Sequence, residues 1–298
     1  MIVIVYTVIS KGAFIRPRNI RNILQSTTVV SLLTIGAGSL MIAGYLDLSL
    51  GGIGTMCAML AAFLLRAGVP WYAALAAALI LGGAGGAFNA VLVNELNFQP
   101  FIATLATASI TQGFTSIISQ GKQIDIANPV FNFIGSERVL DFIPYSLIIS
   151  LFALLIYGVI LKNTKFGRSV YLIGNNAQAA RLAGLRPKRI SYTLFINAGC
   201  LAALAGILLA ARLKSSNTVG ITNSQFAGMT AAILGGISLG GGTGGMGGAL
   251  AGILILNCFN NGMTVIDVPP YWQVVASGIL LLIALTADFL SARKRAAN

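Results

Sequence analysis

Acidic residues and glycine-rich runs are the parts of this sequence whose residue types could do chemistry. The 298 residues include seven Asp and Glu and no His, and they contain no HExxH, no GxSxG and no clustered pair of carboxylates. A phosphate-binding loop requires GxxxxGK followed by Ser or Thr, because backbone amides cradle the phosphates and the lysine reaches them. The glycine-rich run 235–248 contains no lysine, and Gly121-Lys122 is followed by Gln123. We therefore predict no catalytic residue, no metal site and no ATP binding by this chain itself.

Polar side chains inside apolar sequence are the remaining candidates for a site. A carboxylate at membrane depth is costly and often functional, and Asp47 is the acidic residue in such a position. Two interpretations stay open: Asp47 accepts amide hydrogen bonds as a cap of the next helix, or it contacts ligand or gates a pathway. The other polar residues either join helices by hydrogen bonds or line that pathway. The pathway candidates are Asp47, Ser49, Asn89, Gln112, Asn260 and Asn261.

Composition indicates whether these residues lie in a water-soluble protein or in a membrane protein. Hydrophobic residues make up 56% of the chain and charged residues 9%, whereas a soluble domain carries about 25% charged residues. The net charge of +12 arises from basic residues clustered between apolar runs. This pattern favours topogenic charge facing membrane lipid over binding of nucleic acid. Because open sheets cannot cross hydrocarbon, we expect an all-α integral membrane protein.

Nine apolar stretches are candidates for membrane crossings. They are 23–43, 48–65, 71–93, 98–119, 143–161, 190–213, 226–239, 246–263 and 271–289. The N-terminal run MIVIVYTVIS predicts an abbreviated first helix, which brings the total to about ten transmembrane helices in a single domain over residues 1–298. The stretch 226–239 is too short for a straight crossing, so we expect it to be broken or re-entrant.

One polar segment, residues 162–189, stands between two of these stretches. It carries seven basic residues and no acidic one: Lys162, Lys165, Arg168, Arg181, Arg186, Lys188 and Arg189. A loop this basic is expected on the cytoplasmic side. Its middle, 176–184, has the composition of a short helix. A membrane protein that presents a small helix to the cytoplasm is expected to offer it to a partner.

The orientation of the chain follows from counting crossings. The C-terminal Arg293-Lys294-Arg295 is also expected in the cytoplasm, and the four stretches between it and 162–189 agree with that. Counting backwards places 94–97 inside, and 120–142, 66–70 and 11–22 outside. The outer side then carries Arg16, Arg18, Arg21, Arg212 and Lys214. These charges oppose the positive-inside tendency, so either the count is off by one near the N-terminus or they serve an external acidic partner.

Two glycine-rich breaks interrupt the apolar sequence, at 44–52 and 235–248. Broken helices in corresponding halves of a transporter indicate a substrate path at an internal repeat. Close helix packing is the alternative for the second break, because Gly244, Gly248 and Gly252 have GxxxG spacing.

Several of these segments resemble one known family. The run AGYLDLSLG at 43–51 resembles the G-x-I-D-L-S-V-G segment of the permease subunits of bacterial simple-sugar ABC importers, the ribose-transporter family. FIATLAT at 101–107 resembles that family's F-I-A-T-L-G-T. FGR at 166–168, IGNN at 173–176 and ARLAG at 180–184 are similar to its cytoplasmic coupling segment. ILGGISL at 233–239 and NNG at 260–262 also fit, so the resemblance covers nearly the whole chain.

The resemblance implies a type II ABC importer permease with about ten helices, in the bacterial cytoplasmic (inner) membrane. The implied partners are a second permease copy or a paralogue, a cytoplasmic ABC ATPase that holds ATP and Mg, and an extracytoplasmic sugar-binding protein. Coupling to the ATPase is carried over onto Gly167, Arg168, Gly174, Asn175, Asn176, Ala180, Arg181, Gly184 and Arg186. The five external basic residues would then pair with acidic residues of the binding protein.

The implied function is to form the pathway for a monosaccharide, such as a ribose-like pentose. Permeases of branched-chain amino-acid or nucleoside importers have overlapping motifs and remain alternatives. An ion-coupled secondary transporter is the rival from another class. It would require several carboxylates or a Na⁺ cage at mid-membrane, where this sequence offers only Asp47.

Overall fold

The computed structural model describes residues 2–297, and the side chains of residues 291, 292 and 294–297, which include Lys294 and Arg295, lie outside its described part. The helices are α1 (Ile2–Ile9), α2 (Pro17–Ile42), α3 (Leu50–Arg66), α4 (Trp71–Asn94), α5 (Pro100–Ser119), α6 (Pro129–Ser136), α7 (Tyr145–Asn163), α8 (Lys165–Asn175), α9 (Ala177–Leu182), α10 (Pro187–Leu213), α11 (Ser224–Leu234), α12 (Met246–Val265) and α13 (Pro270–Ala297). Short strands are β1 (Ile124–Asp125), β2 (Arg138–Val139), β3 (Ile143–Pro144) and β4 (Ser215–Ser216), and a 3-10 turn covers Ala13–Ile15.

The helix lengths confirm the membrane class but not the count of ten crossings. Within the described residues, seven helices are long and apolar enough to span a membrane: α2, α4, α5, α7, α10, α12 and the 270–290 part of α13. The apolar helix α3 is shorter, at 17 residues. The helices α1 and α11 rise only about 12 Å and 16 Å, at 1.5 Å per residue, against a hydrocarbon core of about 30 Å. Each of the nine apolar stretches nevertheless overlaps a helix.

The helices α2 and α10 form the centre of the bundle. The helix α10 packs against α2, α3 and α4, and α2 packs against α7, α11 and α12. Small residues permit close approach: Gly199 of α10 faces the backbone of Gly82 in α4, and Gly206 of α10 faces that of Gly54 in α3. The helix α13 is the least buried of the spanning helices and packs mainly against α11 and α12.

Polar contacts define two ends of this bundle. At one end Lys188 in the basic segment pairs with Glu95, which follows α4, with an Nζ–Oε2 distance of 2.8 Å. At the other end β1 pairs antiparallel with β4. There Asn19 at the start of α2 also donates a hydrogen bond to Asn261 near the end of α12, at 2.7 Å. In each of these three pairs, the two segments are ones that the counting of membrane crossings assigned to the same side. The structure therefore agrees with that count at these places.

Both glycine-rich breaks are present, with boundaries that differ from those expected. The helix α2 ends at Ile42, and non-helical backbone at 43–49 leads into α3. The helix α11 ends at Leu234, and the 235–245 loop connects it to α12. The expected broken stretch 226–239 is thus an eleven-residue helix followed by a loop. Residues 50–52 and 246–248 are helical, because each begins the helix after its break.

Candidate functional site

The basic segment folds as two helices whose caps explain several of its residues. Thr164 Oγ1 accepts a hydrogen bond from Gly167 N at the start of α8, at 3.1 Å. Asn176 Oδ1 accepts one from Ala179 N at the start of α9, at 2.9 Å. These side chains satisfy amides that lack a partner in the first turn of a helix. The short helix expected at 176–184 is therefore present as α9 with its caps.

The end of α9 requires a glycine. Gly184 adopts φ 83°, in the left-handed region that favours glycine. Its amide donates to Arg181 O, and the amide of Leu185 donates to Ala180 O, both at 3.1 Å. This pair of bonds is a Schellman motif, which ends the helix and turns the chain towards α10.

One face of α9 is anchored and the other is free. The side chain of Ala180 is buried, whereas Arg181 and Arg186 are exposed. Leu182, two residues beyond Ala180, is 85% exposed. A large apolar side chain between exposed arginines is typical of a docking surface, because only a partner can remove it from water. Sequence reasoning did not single out Leu182, although its helical position opposite a buried alanine is the signal that could have found it.

The end of α8 contacts both glycine-rich breaks at one place, which we call the glycine junction and define as Ile42, Gly174, Asn175, Gly241 and Gly242. Gly242 N donates a hydrogen bond of 2.8 Å to Ile42 O, which joins the two breaks. The α-carbon of Gly174 faces Ile42 O and Gly242 N so closely that a Cβ there would overlap both. Asn175 lies against Gly242. The basic segment 162–189 thus touches both glycine-rich breaks, through the backbone of Gly174 and the side chain of Asn175.

A tyrosine reinforces the glycine junction. Tyr171 Oη donates a hydrogen bond of 2.8 Å to Gly244 O in the 235–245 loop. Burial raises the pKa of the Tyr171 phenol, so the group remains protonated and keeps its donor. At its other end, the same loop is held by Asp288 of α13, whose carboxylate accepts from Leu239 N at 3.0 Å.

Three of the pathway candidates form one buried network at the first break. Asp47 Oδ1 accepts from Ser49 N at 2.8 Å and from Ser49 Oγ at 2.6 Å. Asn89 of α4 donates to Ser49 Oγ at 2.7 Å. Leu48 N donates to Thr104 Oγ1 of α5 at 3.0 Å, which joins the 43–51 and 101–107 motifs. Asp47 therefore accepts from the amide of Ser49, the residue that precedes α3, and the helix itself has no side-chain cap. The network fixes the non-helical backbone before α3.

The other three pathway candidates lie elsewhere. Gln112 of α5 donates to Thr218 O at 2.7 Å and accepts from Thr222 Oγ1 at 2.8 Å, so it ties α5 to the loop after β4. Asn261 pairs with Asn19. Asn260 lines a cavity of about 760 Å³ bounded by α11, α12 and α13. The structure does not bring the six candidates into one site.

The basic residues that the counting of crossings assigned to the outer side form two groups at the end remote from α9. Arg16 and Arg18 are exposed and Arg21 is partly exposed, at the start of α2. Arg212 is partly buried and Lys214 is exposed, at the end of α10. Near them, the turn between β2 and β3 carries Leu140, which is 90% exposed. Leu140 is a surface feature that sequence reasoning did not select.

These features define a class of protein. Apolar helices of spanning length, two glycine-rich breaks and a short basic helix at one end are typical of a membrane transport subunit. A family model described as "Branched-chain amino acid transport system / permease component" matches residues 19–285. The chain belongs to this permease family and is a multi-pass protein of the inner membrane.

Similar curated proteins cover nearly the whole chain. The ribose import permease protein RbsC of Bacillus subtilis (strain 168) is 34% identical over 289 residues, which are 96% of this chain and 89% of the relative. RbsC of Escherichia coli (strain K12) is 33% identical over 279 residues, 92% and 87% of the two chains. The D-allose transport system permease protein AlsC of the same strain is 32% identical over 292 residues, 97% and 89%. These relatives confirm the resemblance that the motifs indicated. No solved structure matches the chain.

Proposed function

We propose that this chain is the permease subunit of an ATP-driven ABC importer, and that it moves a monosaccharide, such as a ribose-like pentose, into the cytoplasm. An external sugar-binding protein delivers the sugar, and a second copy or a paralogue of the permease completes the pathway. A cytoplasmic ABC ATPase holds ATP and Mg and hydrolyses the nucleotide. The permease itself contributes no catalytic group.

The observation that carries this proposal is the near-full-length similarity to import permeases named for ribose and allose. The family description names branched-chain amino acids, but these relatives favour a sugar. The helix order agrees with a ten-helix type II architecture if the helices α6, α8 and α9 do not cross the membrane. The short helices α1 and α11 are then two of the ten. The exposed face of α9 gives the ATPase a docking surface, and the glycine junction connects that surface to both broken helices.

ATP hydrolysis in lipid nanodiscs tests the function and the coupling surface together. The permease is co-purified with its cognate ATPase, and activity is measured with and without the D-ribose-loaded binding protein. We expect stimulation by the loaded binding protein. Because Arg181 and Arg186 are exposed and carry like charge, the Arg181→Glu, Arg186→Glu variant should lose about 90% of that stimulation by repelling an acidic groove.

Two further variants make this test specific. Leu182→Ser removes the exposed apolar contact without changing charge and is expected to weaken ATPase association. Arg66→Glu reverses one exposed charge at the opposite end of the bundle and should leave ATPase association unchanged. If the double variant is stimulated normally, α9 is not the coupling surface. If no ATPase co-purifies and an ion gradient alone drives uptake, the importer assignment is wrong.

The external charges predict a salt-dependent encounter with the binding protein. Arg16, Arg18, Arg21, Arg212 and Lys214 lie at the end remote from α9 and would steer an acidic partner. Replacing all five with Gln should slow association at low salt by about tenfold and flatten its salt dependence. Association of the sugar-loaded binding protein with nanodisc-embedded complex, measured at several ionic strengths, checks this. If the dependence of the association rate on ionic strength is unchanged, these five residues do not steer the binding protein. Arg66→Gln is the control, because it neutralises a single charge outside this set of five.

A further inference from the structure

The cavity between α11, α12 and α13 is the feature that the coupling surface and the polar networks leave unexplained. Its volume of about 760 Å³ falls within the range of about 300–1,000 Å³ found for small-molecule sites. The polar residues on its wall include Thr230 of α11, Asn260 of α12 and Gln273 and Ser277 of α13. Phe226 and Leu281 are among its apolar residues. Three helices thus contribute to a mixed surface.

Amide and hydroxyl groups line this cavity, and only part of their hydrogen-bonding capacity is used within the protein. Ser277 Oγ donates to Asn260 Oδ1 at 3.2 Å. Gln273 Nε2 donates to Val268 O at 2.8 Å, and Gln273 Oε1 accepts from Thr264 Oγ1 at 3.3 Å. Within the described residues, the amide nitrogen of Asn260 donates no hydrogen bond of its own. The wall therefore presents a free donor beside hydroxyl groups that can rotate to donate or accept.

The charge of the wall selects the class of solute. No Asp, Glu, Lys or Arg is among the described residues that line the cavity. A zwitterionic amino acid entering it would lose hydration of two charges without a compensating ion pair, which is costly. A neutral monosaccharide loses less hydration free energy. Its hydroxyls can form hydrogen bonds with the amides, and its C–H faces can pack against Phe226 and Leu281. The cavity chemistry fits a neutral polyhydroxylated ring.

The position of the cavity connects it with the glycine junction. Asn260 lies 14 residues beyond Met246, the first residue of α12, or about 21 Å along the helix axis. The helices α11 and α12, which form two of its walls, are joined at their opposite ends by the 235–245 loop. That loop contacts α8 through Gly241, Gly242 and Gly244. A displacement of α8 therefore acts on the walls of the cavity through two rigid helices.

We propose that this cavity is a transient binding station for the transported monosaccharide, in which Asn260, Gln273 and Ser277 donate and accept hydrogen bonds to its hydroxyls. The inference rests on the proposed function and names the part of the permease that holds the sugar. Movement of α11 and α12 at the 235–245 loop reshapes the station and releases the sugar. The Asp47 network holds the first break in place.

Two measurements on the assembled complex test this proposal. The first is uptake of D-ribose, presented by the binding protein, into proteoliposomes. Ser277→Trp fills the cavity and should reduce uptake about tenfold, because transport selectivity and rate depend on the free width of the passage. Asn260→Ala removes the free donor and should raise the ribose concentration for half-maximal uptake about tenfold, the loss of roughly one hydrogen bond. Both variants should retain wild-type thermal stability.

The control variant is Ile279→Trp, which places the same indole side chain at an exposed position of α13 that does not line the cavity. It should transport as wild type. Normal uptake by Ser277→Trp would overturn the proposal, as would an equal loss of uptake in Ile279→Trp. If wild type shows no ATP-driven uptake, the proposed function fails instead.

The second measurement does not depend on transport. In a background with Cys57, Cys200 and Cys258 replaced by Ala, Ser277→Cys should react with a small, charged, membrane-impermeant thiol reagent, because a sugar station must admit water. Ile279→Cys, at an exposed apolar position, should react at least tenfold more slowly, since a thiol in lipid is not ionised. An unreactive Ser277→Cys would mean that the cavity is filled by lipid and would overturn the proposal.

Discussion

An alanine in place of Gly174 is expected to abolish the stimulation of ATP hydrolysis by the loaded binding protein and to lower uptake by about tenfold or more. The new methyl group would overlap Ile42 O and Gly242 N, both of which are backbone atoms. In a helix, alanine is more favourable than glycine by about 1 kcal/mol of intrinsic helix propensity. Overpacking costs about 1–3 kcal/mol or more, and it dominates here because backbone cannot rotate away as a side chain can. Uptake and ATP hydrolysis by the assembled complex measure the effect.

The matched control is Gly247→Ala in the first turn of α12. Nothing lies within 4 Å of a Cβ at this position, so helix propensity alone should act and the variant should be as stable as wild type or more so. Thermal unfolding of both variants separates a general loss of folding from a specific loss of coupling. A Gly174→Ala complex that is stimulated normally would show that α8 and the breaks move independently.

Replacing Asp47 with alanine is expected to lower the unfolding temperature of the purified permease by about 5–10 °C. The change leaves the amide and hydroxyl of Ser49 without their acceptor in a fully buried place. Each buried unsatisfied group costs about 1–3 kcal/mol, and 1 kcal/mol shifts the unfolding temperature of a large domain by about 2–4 °C. Thermal unfolding in detergent, together with the yield of folded protein, measures this.

Asp47→Asn separates the two interpretations of this residue. The amide oxygen can still accept from Ser49 N, so a capping role predicts stability and uptake close to those of wild type. A variant that folds normally but no longer transports would show that the carboxylate charge acts in transport. Asn89→Ala probes the same network from α4 and should cost less, because it removes a donor and leaves the Ser49–Asp47 contacts intact.

Features encoded by local composition were predictable from the sequence. The helix α9 follows from Asn176 at its start and Gly184 at its end, because caps act within a few residues. The break at 235–245 follows from its glycines. The predicted stretch 226–239 was too long because Gly235 and Gly236 end α11 early, and Gly236 adopts φ 83°.

Features that depend on distant parts of the chain were not predictable. Asn19 was not selected, although it pairs with Asn261 across 242 residues. Nothing near Gly174 in the sequence reveals that it faces Ile42. The pathway candidates share polarity, but their partners are set by which helices cross, and the crossings place them in separate networks. Hydrogen-bonding partners in a membrane bundle are a property of tertiary packing rather than of residue type.

The glycine junction consists of backbone atoms and glycine α-carbons, with one asparagine side chain at its edge and no ionisable group among its five residues. A contact of this kind has no titration midpoint and no counterion atmosphere. Acidity and ionic strength can therefore act on the charged surfaces of the protein while the connection between α8 and the two breaks keeps the same stiffness. For evolution, the consequence is modularity: the side chains on the exposed surface of the basic segment can diverge to suit a new partner, provided that the glycines of the junction stay.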